Sequence, residues 1–159
     1  MAFRKITRKN QELSELDCIE ILKREKRGVL SVVGDEGYPY GMPMNHFYNE
    51  ADGALYFHCG KGGYRNEMLE RCDKVSFCVC DEGINKDGGW ALEIRSVIIF
   101  GRIEAVEEPE KIVGITRELS RKFTKDEEYI KKEIEGHVHR TILLKLTVEN
   151  ICGKRVIEA

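Results

Sequence analysis

The chain has 159 residues, 42% hydrophobic and 34% charged, and its 26 basic and 28 acidic side chains leave a formal net charge of -2. That is the size of one domain with its own core, and the near-neutral balance excludes the uniform positive field that draws proteins onto nucleic acid or an anionic bilayer. No apolar run reaches the roughly 18–20 residues that cross a membrane. Met1 to Asn10 lack the apolar core of a signal peptide, so the sequence reads as a single soluble, cytoplasmic domain with no nucleic-acid or membrane partner.

Ser14 is placed to cap a first amphipathic helix, with Leu16, Ile19 and Leu22 at helical spacing and Gly28 as its stop. Three short strands are predicted next: Val29 to Val33, a run through Phe47 and Tyr48, and Ala54 to His58. Turns at Gly34 to Gly37 and Asn49 to Gly53 separate them, a pattern of an antiparallel meander. A short helix with Met68 and Leu69 buried follows, then a strand from Val75 to Cys80, a polar loop over 81–89 and an apolar stretch from Trp90 to Val106. Gly101 marks a bulge in that stretch, and Trp90 is assigned to the core. Pro109 starts a helix carrying Ile112, Val113, Ile115, Leu119 and Phe123, a second charged segment follows around Tyr129 to Ile134, the charged stretch Lys122 to Glu135 reads as a solvated helical face, and Thr141 to Val148 alternates as the last strand. About six strands with peripheral helices make this a mainly β chain, a small barrel carrying helices.

The six cysteines form no CxxC pair and read as reduced thiols, with Cys78 and Cys80 as small fillers of a packed sheet. His137 and His139 form an HxH pair without a further ligand at local spacing, and Gly136 before them suggests a loop entering the last strand, so no metal is expected. Phe57-His-Cys-Gly-Lys-Gly-Gly-Tyr-Arg-Asn66 leaves a strand, passes three glycines and a lysine, and opens a helix. Converging N–H groups, Lys61 and Arg65 suit a phosphate there; a solvated basic loop is the alternative. It has neither the Walker spacing nor the GxGxxG pattern. Tyr38 to Phe47 carries two prolines, a glycine and two methionines, which fits an irregular edge strand beside a flat ring or an awkward strand packed with Met and Tyr. His46 is open to two roles, donor to a ring carbonyl or sheet-surface residue. Cys59 and His58, adjacent on a strand, point to opposite faces and do not form a pair.

The order of Val29–Val33, Tyr40-Gly-Met-Pro-Met-Asn-His46, Leu55-Tyr-Phe-His58, Lys61–Arg65 and Glu93-Ile-Arg-Ser-Val-Ile-Ile-Phe-Gly-Arg102 resembles the pyridoxamine 5'-phosphate oxidase-like flavoproteins, most of all their nitroimidazole-resistance (Nim-type) branch. The resemblance runs from about Leu16 to Lys154. It implies an antiparallel, Greek-key-like FMN-binding split barrel that works as a homodimer with flavin at the subunit interface. By that likeness Lys61, Gly63, Tyr64 and Arg65 hold the FMN phosphate, Pro43, Met44 and Asn45 lie along the ring, and Ser96 contacts the cofactor. His58 sits close to the flavin as the catalytic residue. The implied activity is an oxidoreductase reducing a small aromatic or nitroaromatic compound, with a non-catalytic flavin or haem carrier or sensor as the alternative; related proteins also hold FAD, haem or a deazaflavin. Oxidases proper end in a segment bearing arginine and tryptophan, whereas this chain ends Ile151-Cys-Gly-Lys-Arg-Val-Ile-Glu-Ala159, which argues against vitamin B6 oxidation.

Overall fold

The computed structural model describes residues 3–85 and 88–158. Met1, Ala2 and Ala159, together with Lys86 and Asp87 of the predicted 81–89 loop, lie outside the described residues. The elements in chain order are α1 (Glu15–Arg24), β1 (Arg27–Val33), β2 (Pro39–Asn45), β3 (Phe47–Asn49), β4 (Ala54–Gly60), α2 (Tyr64–Arg71) and β5 (Lys74–Cys80), then β6 (Leu92–Ala105), α3 (Pro109–Arg121), α4 (Glu127–His137) and β7 (Thr141–Glu158). No helix among the described residues is long and apolar enough to cross a membrane.

Several local signals produce the elements they predict. The Ser14 hydroxyl accepts the Asp17 N–H at 3.1 Å, and α1 buries Cys18, Ile21 and Leu22. Pro109 sits in the first turn of α3, where its missing N–H costs nothing. Gly101 marks a register shift between β6 and β7; a Cβ there would fall 2.1 Å from the Thr147 carbonyl oxygen.

Others are corrected. Gly28 does not end α1, which caps at Glu25; it lies within β1, where a Cβ would meet the Cys78 carbonyl oxygen at 2.6 Å. Trp90 is 79% exposed rather than in the core. Gly136 falls inside α4 instead of a loop, and Phe123 lies past the end of α3, exposed. Cys78 and Cys80 are exposed on the outer sheet face and fill no interior space.

The sheet has seven antiparallel strands in the order β2-β1-β5-β6-β7-β4-β3, so the expected simple meander is replaced by one with two crossovers. The order also dictates closure. β2 and β3 lie at opposite edges, yet only His46 separates them in sequence. Six strand spacings would put flat edges roughly 29 Å apart, whereas Cα atoms two positions apart lie within about 7.6 Å. The sheet must therefore curl until its edges meet at His46. Inside the curl sit Leu30, Val32, Phe57, Phe77, Val97 and Ile99; a second cluster of Ala54, Tyr56, Val106, Ile115 and Leu143 lies between the outer face and α3.

His46 is thus neither a ring donor nor a surface residue. Fully buried, it contacts Phe77 edge-on and shares a hydrogen bond between Nε2 and the Leu22 carbonyl at 2.8 Å. Lys122, assigned by sequence to a solvated face, reaches under the same corner and donates to the carbonyls of Glu25 (2.6 Å), His46 (3.0 Å) and Leu22 (3.3 Å). Burial, helped by the Lys122 charge, pulls the His46 pKa from 6.5 down to about 3. Between those two values the unfolded chain binds more protons than the folded one, so stability falls as pH drops from 6.5 towards 3. His46→Gln keeps an N–H for Leu22 and has no proton to take up. Its denaturation midpoint is expected to lose that part of the acid slope; a slope equal to wild type would contradict the assignment.

Candidate functional site

β2 owes its edge position to composition. Pro39 and Pro43 bring no N–H to a ladder, so the strand pairs only with β1, in register Val29↔Pro43 and Arg27↔Asn45. Across from it, β4 ends at Gly60 and the chain turns through Gly62 and Gly63, both at positive φ (80° and 88°), into α2. Nothing among the described residues lies within 4 Å of a Cβ built on either glycine, so the loop backbone faces open space.

Between β2 and this loop lies a cleft of about 610 Å³. One wall is Met42, Pro43 and Met44; the other is Gly62, Gly63, Tyr64 and Arg65, with His58 and Cys59 at the end of β4. Arg65 is tethered at both ends of its guanidinium: Nη2 donates to the Gly60 carbonyl at 3.3 Å and Nε to the Asn66 Oδ1 at 3.0 Å. The Asn66 amide reaches the same carbonyl at 3.4 Å. Tyr64 stands edge-on to Tyr40 at 4.9 Å between ring centres, and its hydroxyl accepts the Asp35 N–H at 2.7 Å, joining the loop to the β1–β2 turn. Arg27 Nε donates to the Asn45 Oδ1 at 2.9 Å and orients that amide. The lining carries two permanent cations and no carboxylate, so its field favours an anion beside an apolar wall.

Burial lowers the pKa of His58, which keeps the imidazole neutral near pH 7, and raises that of the Cys59 thiol against the pull of Arg65. Cys59 is therefore a poor nucleophile. The alternation of β4 turns Ala54, Tyr56 and His58 to one face and Leu55, Phe57 and Cys59 to the other, which separates the two as expected.

Of the sequence-predicted residues, Pro43, Met44, Asn45, His58, Gly63, Tyr64 and Arg65 meet in this cleft. Lys61 is exposed in the loop and does not line it. Ser96 lies on β6 in a different cleft, beside Arg4, Arg8 and Lys154. Sequence reasoning missed Arg27, which the helix reading had absorbed; the strand pairing Arg27↔Asn45 carries the signal for it.

The sequence profile of the pyridoxamine 5'-phosphate oxidase family matches residues 14–155. The chain belongs to the pyridoxamine 5'-phosphate oxidase family. Its curled antiparallel sheet with peripheral helices is that family's split barrel, as the resemblance implies. No curated protein matches the chain. Solved structures do. A candidate 5-nitroimidazole antibiotic resistance protein from Bacteroides thetaiotaomicron shares 23% identity and a TM-score of 0.78, over 92% of this chain and 87% of that one. An FAD-binding protein from Mesorhizobium loti shares 21% identity and a TM-score of 0.64, over 92% and 97%. An FAD- and haem-binding protein from Mycobacterium smegmatis shares 19% identity and a TM-score of 0.70, over 91% and 72%. At these identities the likeness is one of fold, and within the pyridoxamine 5'-phosphate oxidase family the chemistry has to be argued from the cleft.

Proposed function

We propose that the chain is an FMN-binding flavoprotein, a homodimer that reduces a small aromatic compound, nitroaromatics included. The observation that carries this reading is the cleft: a positive-φ glycine loop with a tethered Arg65 facing a Met-Pro-Met wall, with no carboxylate in its lining. A phosphate fits the loop, where Gly63 caps α2 and Arg65 and Tyr64 begin it, and a flat ring fits against Met42, Pro43 and Met44. The volume lies within the roughly 300–1,000 Å³ of small-molecule sites. Bound flavin would supply the two-electron chemistry; the protein holds, orients and tunes it. His58, neutral at the cleft edge, is placed to hydrogen-bond an acceptor and orient it. The likeness to a candidate nitroimidazole-resistance protein supports the acceptor class.

The dimer rests on the outer sheet face. Pro43, Val29, Cys78, Ile98 and Cys152 align across five strands as one uncharged row, with Phe100 exposed in the next. Exposed Ile98 at its middle asks for a cover, and a second copy would also bring Ser96 to a cleft it does not reach within one chain. By sedimentation, wild type is expected as a dimer and Ile98→Glu as a folded monomer; a wild-type monomer would contradict the assembly. Six free cysteines favour a reducing compartment, and we place the protein in the cytoplasm.

The carrier reading has one feature in its favour: the sequence holds no GxGxxG loop for a nicotinamide donor. Steady-state oxidation of NADH or NADPH with a nitroaromatic acceptor separates the two. Turnover is expected; a flavin reduced by dithionite alone would make the protein a carrier.

A further inference from the structure

We propose that a second chamber, on the helix side of His58, binds a small uncharged or cationic heteroaromatic bearing an N–H donor, a site that does not depend on the function proposed above.

β4 turns Ala54, Tyr56 and His58 towards α3 and α4. Over Ala54 and Tyr56 the helices close with Ile112 and Ile115, as helix on sheet ordinarily does. Over His58 they do not. A chamber of about 210 Å³ remains there, and His58 is a wall of both this chamber and the cleft. At about 30 Å³ per water in the liquid, that is room for one small ring and too little for a nucleotide.

The helix positions lining it are polar, half-buried on α3 and exposed at its mouth on α4. Thr116 and Ser120 on α3 are four apart and share a face, as do Glu133 and His137 on α4. Their hydrogen bonds define what a ligand would meet. Ser120 Oγ donates to the Thr116 carbonyl at 2.8 Å, and Thr141 Oγ1 to the His137 carbonyl at 3.0 Å. The Arg140 guanidinium, which can only donate, lies 2.6 Å from His137 Nδ1, so that nitrogen accepts and the ring proton resides on Nε2, 3.4 Å from the Glu133 carboxylate. Among the described residues, Thr116 Oγ1 is buried without a hydrogen-bond partner. Among the lining residues the one formal charge is the Glu133 carboxylate, with Ile134 and Val138 as the apolar wall. Such a lining rejects an anion and accepts a ring that offers N–H to Glu133 or Thr116.

The test uses the full chain as purified, its flavin content read by absorbance on the same sample. 2-Aminopyridine is the probe, benzoate the anionic control of similar size, and the ring C–H resonances of His58 and His137 are followed by NMR. 2-Aminopyridine is expected to shift both resonances and benzoate neither. Glu133→Gln should weaken the probe about 10-fold and Ser120→Trp should abolish its binding by filling the chamber, with Thr116→Val as the conservative second variant, weakening it several-fold. Unmoved resonances in wild type, equal shifts with benzoate, or an unchanged affinity in both Glu133→Gln and Thr116→Val would overturn the site. A protein that holds no flavin yet shifts with 2-aminopyridine would refute the proposed function while leaving the chamber standing.

Discussion

Arg65→Ala is expected to weaken FMN binding by about 10- to 100-fold, the loss of a charge-assisted hydrogen bond of about 1.5–3 kcal/mol at 1.4 kcal/mol per tenfold. The magnitude follows from preorganisation. Gly60 and Asn66 already hold the guanidinium over the loop, so little side-chain entropy remains to be lost when a phosphate arrives. Arg65→Lys keeps the charge but cannot reproduce the two-ended tether and should fall between alanine and wild type. Lys61→Ala is the internal control. Its side chain is exposed and does not line the cleft, and a change of less than about 3-fold is expected, the range of a solvent-screened charge. Fluorescence titration of flavin-stripped protein measures all three. A larger loss at Lys61 than at Arg65 would mean that the phosphate sits on the other side of the loop.

Gly101→Ala is expected to cost about 3 kcal/mol or more, the upper range for overpacking. The added Cβ would fall 2.1 Å from the Thr147 carbonyl oxygen and 3.0 Å from Leu146, and the first of these is backbone. Relief therefore requires β6 and β7, the two longest strands, to separate at their bulge. In a chain of this length that loss lowers Tm by roughly 6–12 °C. Gly114→Ala makes the contrast. Gly114 lies within α3 with nothing near a built Cβ among the described residues, so alanine should stabilise by about 0.5–1 kcal/mol through helix propensity alone. Thermal unfolding of the pair decides, and a Gly101→Ala protein melting with wild type would mean that the bulge relaxes freely.

What was legible in the sequence was local. Ser14 as a cap, Pro109 as a helix start, Gly101 as a bulge and the prolines of β2 as an edge signal all act within a few residues, and each is where its chemistry places it. One wall of the cleft was legible for the same reason: Gly62, Gly63, Tyr64 and Arg65 are contiguous. What failed was nonlocal. Gly28 carries the same letter whether it ends a helix or admits the Phe77 ring and the Cys78 carbonyl, and only the β1–β5 pairing decides. Arg27 was lost to the site with it. Nor does any local pattern encode β4 pairing with β7 across 80 intervening residues, the step that turns a meander into a split barrel. Trp90 and the thiols of Cys78 and Cys80 were assigned inside on composition, yet lie outside on the face or loop their register dictates. His46 and Lys122 had no sequence signal at all, since their roles exist only where the sheet edges meet.

An absorption spectrum of the purified protein, followed by denaturation and chromatography of what is released, tests the flavin cleft most directly. Flavin absorption bands, with FMN in the released fraction, are the expected result. Released FAD would keep the cleft and change the cofactor, and a Soret band would transfer the site to haem. A colourless protein that takes up no FMN on titration would contradict the central claim.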